Sequence, residues 1–261
     1  MAASTAQAQT TVQYEVRDAI AYVTLDAPPL NILTGAMMTE LAAVVERAQA
    51  DRSVAAIAVT ANGTAFSAGA DVGEHRPENA PAMIAAFSRL FSAFGACEVP
   101  IVMAVDGPAL GAGFELALMA DILLVSTRAT FGQPEIRLGF FAPVGVSWLS
   151  ARVGPARAVE ITATGHSYPA TEMAAMGLVS RVVPPSELTD TLASVLGELR
   201  RASPAVMRLN VRLVRQLQGR PFEAGRLEAE RVFLDELMAL DDVNEGVAAF
   251  FGKRRPVWHN R

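Results

Sequence analysis

The fold is decided by residues 101–136, IVMAVDGPALGAGFELALMADILLVSTRATFGQPEI. Residues 101–105 form an apolar run of buried-strand length, and the turn Gly107-Pro108-Ala109-Leu110-Gly111-Ala112-Gly113 follows it. Residues 114–119 then read as helix, 122–125 as a second buried strand, and Phe131-Gly132-Gln133-Pro134-Glu135 as a loop. Strand, helix and strand in alternation predict an α/β core. Within it Glu115 and Glu135 stand in apolar surroundings, where a carboxylate needs a partner or a chemical role.

Upstream, residues 13–16 and 19–25 read as two strands around the turn Arg17-Asp18. Residues 37–50 have helical spacing, with Met38, Leu41, Val44 and Val45 on one face. Residues 54–60 are strand-like and Asn62-Gly63 marks a turn. The small residues of 64–72, among them Ser67, Ala68, Gly69 and Ala70, form a loop that lets a ligand or another backbone approach closely. A polar, proline-bearing loop is expected over 75–81, and a helix over 83–97. Downstream, 139–145 is an apolar loop, 154–163 a helix and 178–183 a strand. From Pro184 the strand signals stop, and 187–200, 204–218, 221–240 and 243–251 all read as helices. The expected organisation is a tail over 1–10, a core over 11–200 holding the active site, and a helical region over 201–261.

Composition narrows the class. The 261 residues are 51% hydrophobic and 19% charged, inside the range of ordered globular chains. No apolar run reaches the length of a membrane span, and the first ten residues lack the basic start and apolar core of a secretory signal. The single cysteine, Cys97, excludes an internal disulfide and fits a reducing, cytoplasmic setting. A net charge of −5 argues against nucleic acid as the main partner. His75, His166 and His259 are scattered without metal-ligand spacing, so no metal is expected.

The motif Gly111-Ala112-Gly113-Phe114-Glu115-Leu116 resembles half of a dinucleotide fingerprint, but leucine stands where the third glycine belongs and the motif is deep in the chain. Another reading uses the unpaired amides of a helix beginning near Ala112, which can hold an oxyanion developing on a carbonyl. The loop Ser67-Ala68-Gly69-Ala70 can supply a second donor. Glu115 and Glu135 then form a candidate acid–base pair above that oxygen. Phe140 and Phe141, just past Glu135, are candidate pocket lining.

These residues resemble the crotonase superfamily, the enoyl-CoA hydratase/isomerases. The likeness runs through Asn31-Ile32-Leu33, Phe66-Ser67-Ala68-Gly69-Ala70-Asp71, Val105 to Glu115, Phe131 to Ile136, Glu245-Gly246 and Phe251 to Pro256. It implies a ββα spiral core with C-terminal helices for trimer contacts, as a homotrimer or dimer of trimers. It implies an acyl-CoA substrate, with coenzyme A present as part of the thioester and no bound cofactor. By that likeness the backbone amides of Ala68 and Ala112 hold the thioester oxygen, and Ala68, Gly69, Ala70, Asp71, Gly111 and Ala112 line the thioester site. Glu135 delivers a proton to the carbon next to the carbonyl, and Glu115 orients and deprotonates water that adds syn across the double bond. The loop Phe140 to Val146 is bulkier than the glycine-rich loop of straight-chain hydratases, and with residues 71–75 it looks like cyclic dienoyl-CoA hydratases. A Δ3-Δ2 enoyl-CoA isomerase and a non-catalytic acyl-CoA binding protein remain alternatives.

Overall fold

The computed structural model describes residues 10–261, so the tail expected over 1–10 lies, but for its last residue, outside the described residues. β1 (Val12–Arg17) and β2 (Ile20–Leu25) form an antiparallel hairpin. Asp18 and Ala19 alone connect them, both with positive φ (50° and 60°), as a two-residue turn of matching twist requires. Ala19 thus belongs to the turn, not to the strand expected from 19. After α1 (Gly35–Ala50) the chain enters β3 (Ala56–Ala61). A short 3-10 turn (Val72–His75) and α2 (Ala80–Ala96) lead to β4 (Ile101–Val105). The loop expected over 75–81 is therefore mostly turn and helix start.

Next come β5 (Pro108–Leu110), α3 (Ala112–Ala117), β6 (Ile122–Ser126) and β7 (Thr130–Gly132). A 3-10 turn (Pro134–Leu138), α4 (Pro143–Val153) and α5 (Pro155–Thr164) follow, then β8 (Ser167–Pro169), α6 (Ala170–Ala175) and β9 (Arg181–Val183). The chain ends in α7 (Leu188–Leu199), α8 (Pro204–Gln216), α9 (Phe222–Asp235) and α10 (Asp241–Phe251).

The main sheet has the order β1-β2-β3-β4-β6-β9, parallel from β2 onward. Every residue of β4 is buried, because both sheet faces are covered. On one side α1 and α2 contribute Met37, Leu41, Val45, Leu90 and Phe94 to the large core. On the other, Leu188, Leu192, Val195 and Leu196 of α7 pack on Ile20, Ala56, Val102 and Leu124.

A second sheet, β5-β7-β8, was not visible in the sequence, since three-residue strands are too short to show alternation. It positions the site. Leu110 pairs with Gly132, so β5 and β7 release the chain side by side, one into α3 with Glu115 and the other toward Glu135. A bridge between Ser67 and Ala109 brings the small-residue loop against the same place.

The C-terminal helices dock through arginines. Arg208 of α8 donates to the Gln49 and Asp51 carbonyls at 2.9 and 2.8 Å, closing the end of α1. Asp242 of α10 accepts from Ser203 Oγ, His259 N–H and Asn260 N–H. Among the described residues no helix is long and apolar enough to cross a membrane.

Candidate active site

A cavity of about 570 Å³ opens where the three segments meet. Ala68, Gly69, Ala70, Gly111, Ala112, Glu115, Glu135, Phe140 and Phe141 all lie on its wall. Asp71 does not. Its carboxylate accepts N–H groups from Gly73 and Glu74 at 2.6 and 3.2 Å and caps the 3-10 turn that follows. Asp71, expected in the thioester site, thus stands just outside this wall as a turn-former.

The main-chain amides of the two turns differ in whether they already have an acceptor. Ala68 N–H donates to the Leu30 carbonyl at 2.9 Å, and Gly69 N–H meets Ser67 Oγ at 3.2 Å. The Leu33–Ala70 bridge uses the Gly69 carbonyl, which accepts from Leu33 N–H at 2.9 Å. Ala70 N–H has no protein acceptor among the described residues. The Ala68 amide expected as a donor is therefore already engaged by the Leu30 carbonyl, and the free amide of this loop lies two residues along, at Ala70. On the facing turn Gly111 N–H is bound to the Gly132 carbonyl, and Glu115 N–H to Gly111. Ala112, at the first position of α3, retains an amide with no intrahelical partner. A β-carbon on Gly69 would sit 3.7 Å from Ala112 N, a measure of how closely the two segments approach.

Glycine is required at two points of this junction. Gly111 has φ 53° and ψ −128°, and a β-carbon there would reach 3.3 Å from Glu135 Oε2. A β-carbon on Gly113 would lie 2.4 Å from the Ser67 carbonyl oxygen.

The two carboxylates differ in surroundings. Glu115 is 1% exposed, and its Oε1 accepts N–H groups from Val144 and Gly145 at 2.7 and 2.9 Å, in the first turn of α4. Burial pushes its pKa up to about 7, the Glu135 charge adds to the rise, and the two amides oppose it. Glu135 is half-buried and also raised, by burial first, with its own backbone amide and the His75 charge pulling down. The Gln133 side chain, nitrogen toward the carboxylate, donates to Glu135 Oε1 at 2.6 Å and Oε2 at 3.2 Å. His75 lies on the same wall, its ring centroid 4.9 Å from that of Phe140.

The model of the family described as enoyl-CoA hydratase/isomerase matches residues 15–261. The chain belongs to the enoyl-CoA hydratase/isomerase family. Probable enoyl-CoA hydratase echA8 of Mycobacterium bovis is 34% identical over 260 residues, covering 96% of this chain and 98% of the relative. Cyclohexa-1,5-dienecarbonyl-CoA hydratase of Thauera aromatica is 35% identical over 239 residues, covering 91% and 92%. The crystal structure of an enoyl-CoA hydratase from Mycobacterium smegmatis superposes with a TM-score of 0.89 at 29% identity, covering 96% of this chain and all of that one. The amides of Val144 and Gly145, the Gln133 side chain and His75 are members of the site that sequence reasoning missed. Pro143 followed by a short apolar run was the only local sign that a helix starts there.

Proposed function

We propose that this enoyl-CoA hydratase/isomerase family member is a hydro-lyase adding water across the double bond of an α,β-unsaturated acyl-CoA thioester. One observation carries the reading: two amides without protein acceptors and two raised carboxylates share one apolar cavity. Water addition next to a thioester builds negative charge on the carbonyl oxygen, and the amides of Ala70 and Ala112 are the donors that receive it. Glu115 Oε1 is fixed by two amides, so Oε2 takes the proton of the attacking water. Glu135 hands its proton to the carbon next to the carbonyl. A pKa of about 7 suits Glu115 to a base working near neutrality. An isomerase needs one carboxylate to shuttle a proton, and a binding protein needs none, so the buried pair favours hydration over both.

A cyclic dienoyl thioester is a second reading, favoured by the wall of Phe87, Phe140 and Phe141, which offers flat apolar surface to a ring. Loss of ultraviolet absorbance with crotonyl-CoA and with a cyclic dienoyl-CoA tests both. Turnover of either supports hydration, and the ratio of kcat/KM values assigns the acyl group. No loss with either, in the presence of tight binding, overturns the enzyme reading.

The exposed faces of α9 and α10 serve as subunit contacts in this reading, in a trimer or paired trimers. Phe222, Phe250 and Phe251 are 81%, 78% and 79% exposed, apolar surface that such a contact would cover.

A further inference from the structure

α3 carries both the Ala112 amide and Glu115, yet it is only six residues long, so its place depends on what holds its ends. Just past its far end Leu118 and Ala120 are 1% and 4% exposed, where a carbonyl without a donor is costly. One guanidinium nitrogen of Arg152, in the last turn of α4, donates to both of their carbonyls, at 2.9 and 3.2 Å. The start of α4 leans on α3 in turn. Ala142 offers that helix no side-chain cap, so its first N–H groups need an acceptor from elsewhere. Val144 and Gly145 find it in Glu115 Oε1 at 2.7 and 2.9 Å. The two helices therefore cap each other, an acid at the start of one and a base at the end of the other, the charges those ends favour.

Arg152 has no other ionic partner. Among the described residues it forms no ion pair, and Asp121, the acid whose charge acts on it, is bound by Arg215 at 2.9 and 2.7 Å and by Ile101 N–H at 2.8 Å. Its Nε is buried without a partner, and its guanidinium lies 6.0 Å from the centroid of the Trp148 ring one turn earlier. A guanidinium is seldom drawn out of water without a role. Of the large side chains of α4 only Leu149 is buried, so apolar packing holds this helix mainly at one point. The contact with the end of α3 supplies a second.

We propose that Arg152 is a positioning residue for Glu115: by binding the carbonyls at the end of α3 it fixes where the first turn of α4 stands, and with it the two amides that hold Glu115 Oε1 and the direction in which Oε2 faces. The inference rests on the hydratase reading for its catalytic meaning. An Oε2 displaced from the attacking water slows proton removal without touching the thioester.

Hydrogen exchange of the substrate-free protein tests this mutual capping independently of any hydration. In Arg152→Met the Val144 and Gly145 amides are expected to exchange about tenfold faster, while α7 on the far side of the sheet is unchanged. Arg152→Gln carries the same comparison should the first variant not fold. Arg152→Lys, which keeps a charged donor for the two carbonyls, should restore most of the protection. Unaltered exchange at Val144 and Gly145, or a rise of equal size in α7, overturns the proposal. In hydration, Arg152→Met should lower kcat about tenfold with KM changed by less than about twofold, and Arg152→Lys should recover most of the loss. An unchanged kcat, a loss carried by KM, or a loss that lysine does not relieve would contradict it. Faster exchange in Arg152→Met, with no thioester hydrated by the parent protein, would overturn the hydratase reading and leave the capping of α3 by α4 standing.

Discussion

Glu115 and Glu135 hang from opposite kinds of support. Glu115 sits inside a helix turn, walled off from solvent, with one oxygen clasped by two amides of a second helix. Glu135 stands on a 3-10 turn at the cavity edge, attended by the Gln133 side chain, with His75 on the same cavity wall. The same functional group is thus held by main-chain amides and deeply desolvated in one place, and held by a side chain and half-buried in the other. In the proposed hydration, the difference lets one residue type divide the labour of proton transfer, with the fixed carboxylate holding water and the other meeting carbon.

The comparison breaks most readily by removing either carboxylate. Glu115→Gln and Glu135→Gln should each lower kcat/KM for hydration about a thousandfold with the fold retained by circular dichroism. A loss confined to one of them would mean that the other is structural. Next in size is Gly113→Ala. Its β-carbon would meet the Ser67 carbonyl at 2.4 Å and push the two amide-bearing segments apart, for a loss of about a hundredfold in kcat. Unchanged kcat would show that the donors do not depend on this contact.

The pH response separates the two supports more finely. A base must be ionised, so kcat/KM should fall about tenfold per pH unit below the Glu115 pKa of about 7. Stability runs the opposite way. The folded state keeps a proton that the unfolded chain, near the usual 4.5, has released, so stability is full below 4.5 and declines as pH rises to about 7. Denaturant titration of Glu115→Gln should show that slope flattened, and an identical slope in both proteins would refute it. The smallest effect on activity is expected from Phe250→Asp with Phe251→Asp. Sedimentation should show loss of the oligomer with hydration little altered, and an unchanged mass would remove these residues from the contact.

Much of this was legible in residues 101–136. The run 101–105 is a buried strand, and both glutamates reach one cavity. What stayed hidden depends on contacts across the chain. The choice between Ala68 and Ala70 turns on the Leu30 carbonyl, far away in sequence, which takes the first amide and leaves the second. Likewise the pairing of Leu110 with Gly132, which helps bring both glutamates to one cavity, involves strands too short to carry a periodicity. His75 read as part of a polar loop because nothing local announces that Phe140 will lie against it.

A crystal structure with a bound acyl-CoA tests the account most directly. The thioester oxygen should lie about 3 Å from both Ala70 N and Ala112 N, with the Glu115 and Glu135 carboxylates facing the carbons beside it. An oxygen placed away from Ala70 N, or carboxylates turned from those carbons, would contradict it.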